Sequence, residues 1–382
     1  MNLIPRPINI STDLIDFRRH QYSLIPELID VCFDYISRFN YPIETYKTSF
    51  IEDTSYFCKN HYEFNKMRFK INDENEINFL ELDIPKLIDD VFFKLKGVYY
   101  IPLIYILDEP ITFKKNSVKF HALFKPITMF LKDDRITFAG HNIPFSRFLK
   151  VYYDDKDQVS KYCELLEVTN LLESRDEAIE KISYTIGCTP ENILEYIDLI
   201  FFDKWTTELY ESYYGLENIT FSTLLDLMFY RFENNIKFEF NDLNYKRLVF
   251  IELLLDPLFK GVNLFINQIE NGMKVSQIPL KPNVIIQHFY LSGNIGIGNQ
   301  KKNKGLCGNT VYGVVNGFTG ILSNKASFKN PKSQSMIPKS VSNIHPSHKY
   351  KICPVTVSNK KPGLLSSLVP DQKIDIRFGK FL

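Results

Sequence analysis

The hydrophobic pattern changes twice along the chain, and these changes constrain the fold more than any other feature of the sequence. Residues 77–113 contain short runs rich in Phe, Tyr and Ile, which is typical of successive β-strands. From residue 174 to residue 270 apolar residues recur at helical spacing, and Ser174 with Glu177 has the spacing of a capping box. After Pro279 the residues Gly, Asn, Ser, Lys and Pro dominate. The sequence therefore predicts an α+β, multidomain protein.

Local signals set further expectations for individual elements. Apolar residues at helical spacing predict a helix over residues 14–39. Strands are expected to continue through residues 120–151, with a turn at Asp133 and Asp134. In the helical part, Pro257 is expected to interrupt a long amphipathic segment, because proline lacks the N–H that an interior helical position donates.

The charge is distributed unevenly, although the whole chain carries only +1. Residues 299–382 contain thirteen Lys and one Arg against two Asp and no Glu, a net charge of +12, so residues 1–298 carry −11. A basic C-terminal quarter on an acidic body indicates that this end meets a polyanion such as nucleic acid. A solvated tail, or an ion-pairing surface for an acidic protein, is the alternative.

Secretion and membrane insertion are not expected. The N-terminus lacks a basic region followed by an apolar run. The most apolar stretch, residues 98–107, is far shorter than the roughly 20 residues that a membrane helix needs. The six cysteines form no C-x-x-C pair, which favours a reduced, intracellular chain without a zinc ribbon.

A glycine cluster near residue 296 raises the possibility of a phosphate-binding loop. Gly293 and Gly298 have the spacing of the first two glycines of such a loop, but Asn299 and Gln300 stand where the Lys and the Ser or Thr would be. The dinucleotide-binding glycine pattern is incomplete as well. No nucleotide cofactor is therefore expected.

The segment HPSHKYKICP, residues 345–354, is rich in residue types that carry chemistry. His345, His348 and Cys353 are three potential metal ligands, but a zinc site needs about four, and the other cysteines show no matching spacing. A Cys–His nucleophile would need a group that tunes Cys353, and none can be identified. On these local grounds, packed histidines beside a buried cysteine are favoured over a metal site or a nucleophile.

The longer segment NIHPSHKYKICPVTVSNKKPGLLSSL resembles a block in the second-largest (β) subunit of multisubunit RNA polymerases. In outline that block reads V-H-P-T-H-x-G-R-[IV]-C-P-I-E-T-P-E-G-x-N-x-G-L-I-x-S-L. The matching positions are His345, Pro346, His348, Ile352, Cys353, Pro354, Gly363, Leu364, Ser367 and Leu368. Residues 356–361 depart from the block, because lysines stand where the family has an acidic residue.

Two further stretches are similar to β-subunit segments and occur in the same order. Residues 83–110 resemble a block with the outline I-P-x-M-T-x-x-G-x-F-I-I-N-G-x-E-x-V-I-V-x-Q-L-x-R-x-P, and residues 242–262 resemble a helix containing R-x-V-G-E-L-L-x-N-Q-F-R. A cellular β subunit continues for several hundred residues beyond the third block. The resemblance therefore implies the N-terminal part of a split β-type subunit, like those of large (jumbo) bacteriophages.

This resemblance implies a division of the chain into named regions. Residues 1–118 and 242–290 would form a protrusion-like region and residues 119–241 a reduced, largely helical lobe. Residues 291–382 would form a basic, fork-like region that faces the active-site cleft. The protrusion and the fork would both be built on mixed β-sheet.

The resemblance also implies a role without catalysis by this chain alone. It implies that Mg²⁺ is held by a β′-like subunit, because the magnesium motif of that subunit is absent here, and no metal or catalytic residue is expected in this chain. Seven lysines of the basic end are the expected nucleic-acid contacts: Lys325, Lys329, Lys332, Lys339, Lys351, Lys360 and Lys361. Six residues are expected to hold the fork in shape: His345, Pro346, His348, Cys353, Pro354 and Gly363.

The expected partners are the C-terminal β fragment, β′-like subunits, a promoter-specificity factor, template DNA and the RNA transcript. The expected location is the cytoplasm of an infected bacterial host, including a phage replication compartment there. Two other functions stay open from the sequence: a stand-alone nucleic-acid-binding regulator derived from a polymerase subunit, and a metal-dependent hydrolase that uses His345 and His348.

Overall fold

The chain divides into two compact units, and each is described by itself. The first consists of Met1–Leu107 with Glu239–Leu382, and the second of Asp108–Phe238. The computed structural model describes residues 12–39, 51–52, 64–73, 76–85, 93–95, 98–100, 104–114, 116–234, 236, 242–270, 320–323, 345–353, 365–369 and 373–382.

The secondary structure mixes helices and strands. The helices are Thr12–Ser23, Ile25–Ser37, Phe145–Tyr152, Lys156–Leu165, Arg175–Ile186, Ile193–Phe201, Lys204–Tyr214, Phe221–Glu233 and Ile251–Glu270, with 3₁₀ turns at Pro190–Asn192, Leu243–Tyr245 and Pro346–His348. The strands are β1 (Ile51–Glu52), β2 (Phe64–Asp73), β3 (Glu76–Pro85), β4 (Phe93–Leu95), β5 (Val98–Tyr100), β6 (Ile104–Asp108), β7 (Ile111–Lys114), β8 (Ser117–Phe120), β9 (Ile127–Phe130), β10 (Arg135–Phe138), β11 (His141–Pro144), β12 (Lys246–Val249), β13 (Gly320–Ser323) and β14 (Leu365–Ser367).

The strands that the structure describes in the first unit form three sheets. Strands β1, β2 and β3 form an antiparallel sheet, and β4 pairs with β5. The third sheet has the order β12-β6-β13-β14, in which β13 is parallel to β6 and antiparallel to β14. These sheets are open and mainly antiparallel, which is consistent with the predicted α+β class.

In its described residues, the second unit joins a five-stranded sheet to six helices. Strands β7 to β11 pair with their neighbours in chain order, so every connection is short. The Phe221 ring lies at the centre of the core, where its centroid is 5.1 Å from that of Phe120, 5.2 Å from Phe201 and 5.9 Å from Phe148. This aromatic cluster attaches the helices to the sheet, because it joins residues from both.

Helix ends in the second unit follow the signals in the sequence. Ser174 and Glu177 form the predicted capping box at the start of Arg175–Ile186, and Gly187 ends this helix with φ +75°. The predicted turn at Asp133 and Asp134 is also confirmed, since it joins β9 to β10.

Three expectations about elements are wrong. Residues 145–152 form a helix and not a strand, since Phe145, Phe148 and Leu149 are buried at helical spacing. The predicted helix over residues 14–39 is two helices separated at Leu24, because Pro26 stands in the first turn of the second.

The third error concerns Pro257, which does not interrupt its helix. The helix Ile251–Glu270 runs through this position and packs against Ile25–Ser37. Burial of Phe259, Val262 and Ile266 on one face offsets the lost hydrogen bond, which costs about 3 kcal/mol. In the described part of the chain, no helix is both long and apolar enough to span a membrane.

Candidate functional site

The site is built around the turn that opens the segment 345–353. His345 precedes the 3₁₀ turn Pro346–His348 and caps it, because its Nδ1 accepts the N–H of Ser347 at 3.2 Å. The Ser347 hydroxyl lies 2.8 Å from the same Nδ1 and accepts the N–H of Leu243 at 2.9 Å. This turn therefore joins two parts of the chain about a hundred residues apart.

Asp242 completes this cluster of polar side chains. It caps the 3₁₀ turn Leu243–Tyr245, and its Oδ1 lies 3.7 Å from His345 Nδ1. A catalytic triad needs the serine and the carboxylate on opposite nitrogens of the imidazole. Here Ser347 and Asp242 both approach Nδ1, so the geometry fixes the turn and does not activate a nucleophile.

The potential metal ligands of the segment do not converge in the structure. The rings of His345 and His348 have centroids 6.3 Å apart, and His345 Nδ1 already accepts a backbone N–H. Within the ranges that the structure describes, no group of three or more His, Cys, Asp or Glu side chains could hold a metal ion.

The segment then joins the neighbouring strand. Ile352 bridges to Leu368 in antiparallel fashion, and the N–H of Val369 donates to the carbonyl of Lys351 at 3.0 Å. Ile352 and Leu368 are both buried. Cys353, which follows, is half-buried and forms no disulfide.

Two lysines and a tyrosine form the outer part of the turn. Lys349 Nζ lies 4.9 Å from the centroid of the Tyr350 ring, and Lys351 Nζ lies 5.2 Å from that of Phe381. The Tyr350 side chain is 79% exposed, and its φ is +62°. A left-handed conformation costs an L-residue about 1–2 kcal/mol, so this tyrosine is exposed and strained at once.

Residues 373–382 contact two other parts of the first unit, strand β12 and the helix Ile25–Ser37. The N–H of Leu248 donates to the carbonyl of Gly379 at 2.8 Å. The Arg377 guanidinium pairs with both carboxylate oxygens of Glu27, at 2.8 and 3.4 Å. These contacts fix the position of Phe381 and hence of the Lys351 ammonium above it.

The structure describes only part of the predicted site. His345, Pro346 and His348 form the turn, and Lys351 and Cys353 follow it. The other predicted residues lie outside the described ranges: Lys325, Lys329, Lys332, Lys339, Pro354, Lys360, Lys361 and Gly363. Sequence reasoning missed Tyr350, although its position between two lysines was a visible signal.

The three segments that resemble the β subunit meet in one sheet. Strand β6 belongs to residues 83–110, β12 to residues 242–262, and β14 to the segment that begins at His345. All three strands are in the sheet β12-β6-β13-β14. The second and third segments are also in direct contact, because the N–H of Leu243 donates to the hydroxyl of Ser347.

Comparison with known proteins gives no family assignment. A scan of the chain against protein-family models and a search of the curated proteins both find no match. The functional proposal therefore rests on the three segments and on their arrangement in the structure.

Proposed function

We propose that this chain is the N-terminal part of a β-type subunit of a phage-encoded, multisubunit DNA-directed RNA polymerase. Its task is to hold template DNA and the RNA–DNA hybrid beside a catalytic centre that another chain carries. The observation that carries this proposal is the joining of the three β-like segments in one four-stranded sheet.

The joining supports the proposal because the segments are far apart in sequence. Residues 83–110, 242–262 and 345–368 are each short, and unrelated similarities would have no reason to become neighbours in space. Antiparallel and parallel pairing across such distances requires a defined long-range fold. A common structural element explains both the similarity and the contact.

The backbone at Tyr350 gives independent support. The β-subunit block has Gly at the position of Tyr350, and glycine adopts positive φ without strain. In this chain the residue at that position has φ +62° although it is a tyrosine. The local conformation is therefore the one that the glycine of the block would favour.

The chemistry proposed for the assembly is template-directed nucleotidyl transfer, in which two Mg²⁺ ions stabilise the attacking and leaving oxygens. The proposal places these ions on a β′-like subunit. The residues of this chain contribute positive charge and shape. Lysines of the basic end would bind the nucleic-acid backbone without reading its sequence.

The proposed regions are those that the resemblance implies. Residues 1–118 and 242–290 form the protrusion, 119–241 a reduced lobe, and 291–382 the fork. The proposed partners are a chain with the rest of β, β′-like subunits and a specificity factor, in the cytoplasm of an infected bacterium.

The proposal is tested by RNA synthesis. Tagged chain purified from its native setting should bring down an assembly that incorporates nucleotides into RNA only when template DNA is present. The subunit is required, so removing it from the assembly should abolish synthesis. An assembly whose RNA synthesis continues at the same rate after this chain is removed would contradict the proposal.

Replacing Lys360 and Lys361 with Glu should weaken retention of nucleic acid by the assembled enzyme. Each lost phosphate contact removes about one unit from the slope of log K against log salt, so the slope should flatten by about one to two units. Filter binding between 50 and 300 mM salt, roughly the range over which such slopes are measured, gives the value.

The matched control replaces Lys156 and Lys204 with Glu. Both side chains are exposed in the acidic second unit, and the change in net charge is the same. This control should leave the slope unchanged. Equal slopes for both double variants and the parent would show that Lys360 and Lys361 do not touch nucleic acid.

A further inference from the structure

Tyr350 combines high exposure with an unusual backbone conformation in the turn. Its side chain is 79% exposed, so it contributes little to the core. Its backbone is in the left-handed region, where glycine would be more stable. Strained residues of this kind occur where the side chain serves a function, so the tyrosine itself calls for one.

The turn holds the tyrosine in a fixed place. The N–H groups of Lys351 and Ile352 both donate to the carbonyl of His348 at 3.0 Å, and Val369 binds the carbonyl of Lys351. These bonds lie on both sides of Tyr350 along the chain. An exposed ring on a fixed backbone loses little conformational entropy when a flat ligand stacks on it.

The charges around the ring are positive. Lys349 Nζ lies 4.9 Å from the ring centroid, and Lys351, which follows Tyr350 along the chain, has its Nζ 5.2 Å from the centroid of the Phe381 ring. The nearby carboxylate of Asp242 is already engaged, since it accepts the N–H of Asn244 and lies beside His345. The turn therefore presents an exposed aromatic ring with a lysine on each side of it along the chain, and bases in a nucleic-acid strand likewise alternate with phosphates.

We propose that Tyr350 stacks on a base of single-stranded nucleic acid, with Lys349 and Lys351 on the adjacent phosphates. The inference rests on the proposed contact between this end of the chain and nucleic acid, and it adds the strand type and the residue. Stacking needs a base whose face is accessible, which a duplex does not offer. An acidic protein partner would use the lysines and would gain little from the exposed ring.

The test measures binding of the full chain to a fluorescently labelled oligo-dT of about 20 nucleotides, a length that covers a typical single-strand site. Tyr350→Gly should reduce the affinity about tenfold, because one stacked base is lost. Tyr350→Phe should bind as the parent does, since it keeps the ring. A duplex of the same length should bind the parent and Tyr350→Gly equally.

Two controls separate stacking from folding. Tyr350→Gly relieves the backbone strain, so its melting temperature should equal or exceed that of the parent. Tyr184→Ala removes another exposed tyrosine, 91% exposed on the helix Arg175–Ile186, and should leave binding unchanged. Cross-linking to an oligonucleotide that contains 5-iodouracil should label the peptide with Tyr350.

Two results would overturn the inference. Equal affinity of the parent and Tyr350→Gly for oligo-dT would show that the ring does not stack. Loss of binding by Tyr350→Gly to an acidic protein of the assembly, with oligo-dT binding intact, would assign the ring to a protein contact. Either result leaves the polymerase proposal standing if the assembly still makes RNA, so the two failures are distinguishable.

Discussion

Replacing Gly379 with alanine is expected to destabilise the first unit by more than about 4 kcal/mol, or to prevent it from folding. A Cβ built at this position would lie 1.9 Å from the carbonyl oxygen of Leu248 and 2.8 Å from its carbonyl carbon. These are backbone atoms of β12, which cannot move without breaking the bond from Leu248 N–H to Gly379. The φ of +73° adds a conformational cost for any L-residue.

The matched control for this prediction is Gly215→Ala. Gly215 has φ +65°, but a Cβ there would meet nothing within 4 Å. Its replacement by alanine should lower the free energy of unfolding only by the cost of the left-handed backbone conformation, about 1–2 kcal/mol. Urea unfolding, monitored by circular dichroism, gives the free energy of unfolding of each variant. Equal losses for the two variants would show that residues 373–382 do not pack on β12 as described.

Replacing Arg247 with methionine is expected to destabilise the first unit by about 3–5 kcal/mol. The Arg247 guanidinium binds both carboxylate oxygens of Glu252, at 2.5 and 2.7 Å. The side chains are 1% and 5% exposed, so removing the arginine leaves a carboxylate buried without its main counter-charge. The loss of stability comes from the desolvation of that charge, since the ion pair that offset it is gone.

Removing both charges should be far less harmful than removing one. The double variant Arg247→Met with Glu252→Leu should recover most of the lost stability, because neither member of the pair is then left buried without the other. Arg19→Met is the matched control: its pair with Asp16 is about half exposed and should contribute about 0.2–1 kcal/mol. If the double variant were as unstable as the single one, the ion pair would not be the source of the loss.

The parts of the fold that follow from the sequence are those set by local chemistry. The cap at Ser174, the stop at Gly187 and the turn at Asp133 depend on residues within a few positions of one another. All the residues that make up such a signal lie within a few positions of the sequence, so the signal can be read without knowing the fold. The alternation of strands and helices is predictable for the same reason, since each element carries its own apolar period.

The wrong expectation at Pro257 arises because distant packing outweighs a local signal. The helix through Pro257 exists because its buried face packs against another helix more than 200 residues earlier in the chain. The helix Phe145–Tyr152 is a different case, because the helical spacing of its own buried residues is a local signal that the expected strand overlooks. Tertiary packing often overrides the intrinsic helix or strand propensity of a segment, and a short window of sequence does not contain that packing.

The sequence singles out the residues of the turn, but it does not predict their geometry. The pattern around His345 marks the segment, yet only the structure places Ser347 and Asp242 on the same ring nitrogen. The positive φ of Tyr350 is likewise a property of the folded turn, since a tyrosine predicts no such conformation. The meeting of three distant segments in one sheet depends on long-range pairing, which short windows do not contain.

Mass spectrometry of the intact native complex would show whether this chain is the proposed β-type subunit. We expect one copy of this 44.8 kDa chain together with a chain that carries the rest of β and with β′-like chains. Dissociation of the complex should release the two β parts as neighbours. Recovery of the 44.8 kDa chain as a monomer or as an oligomer of itself, with no such chains, would contradict the account.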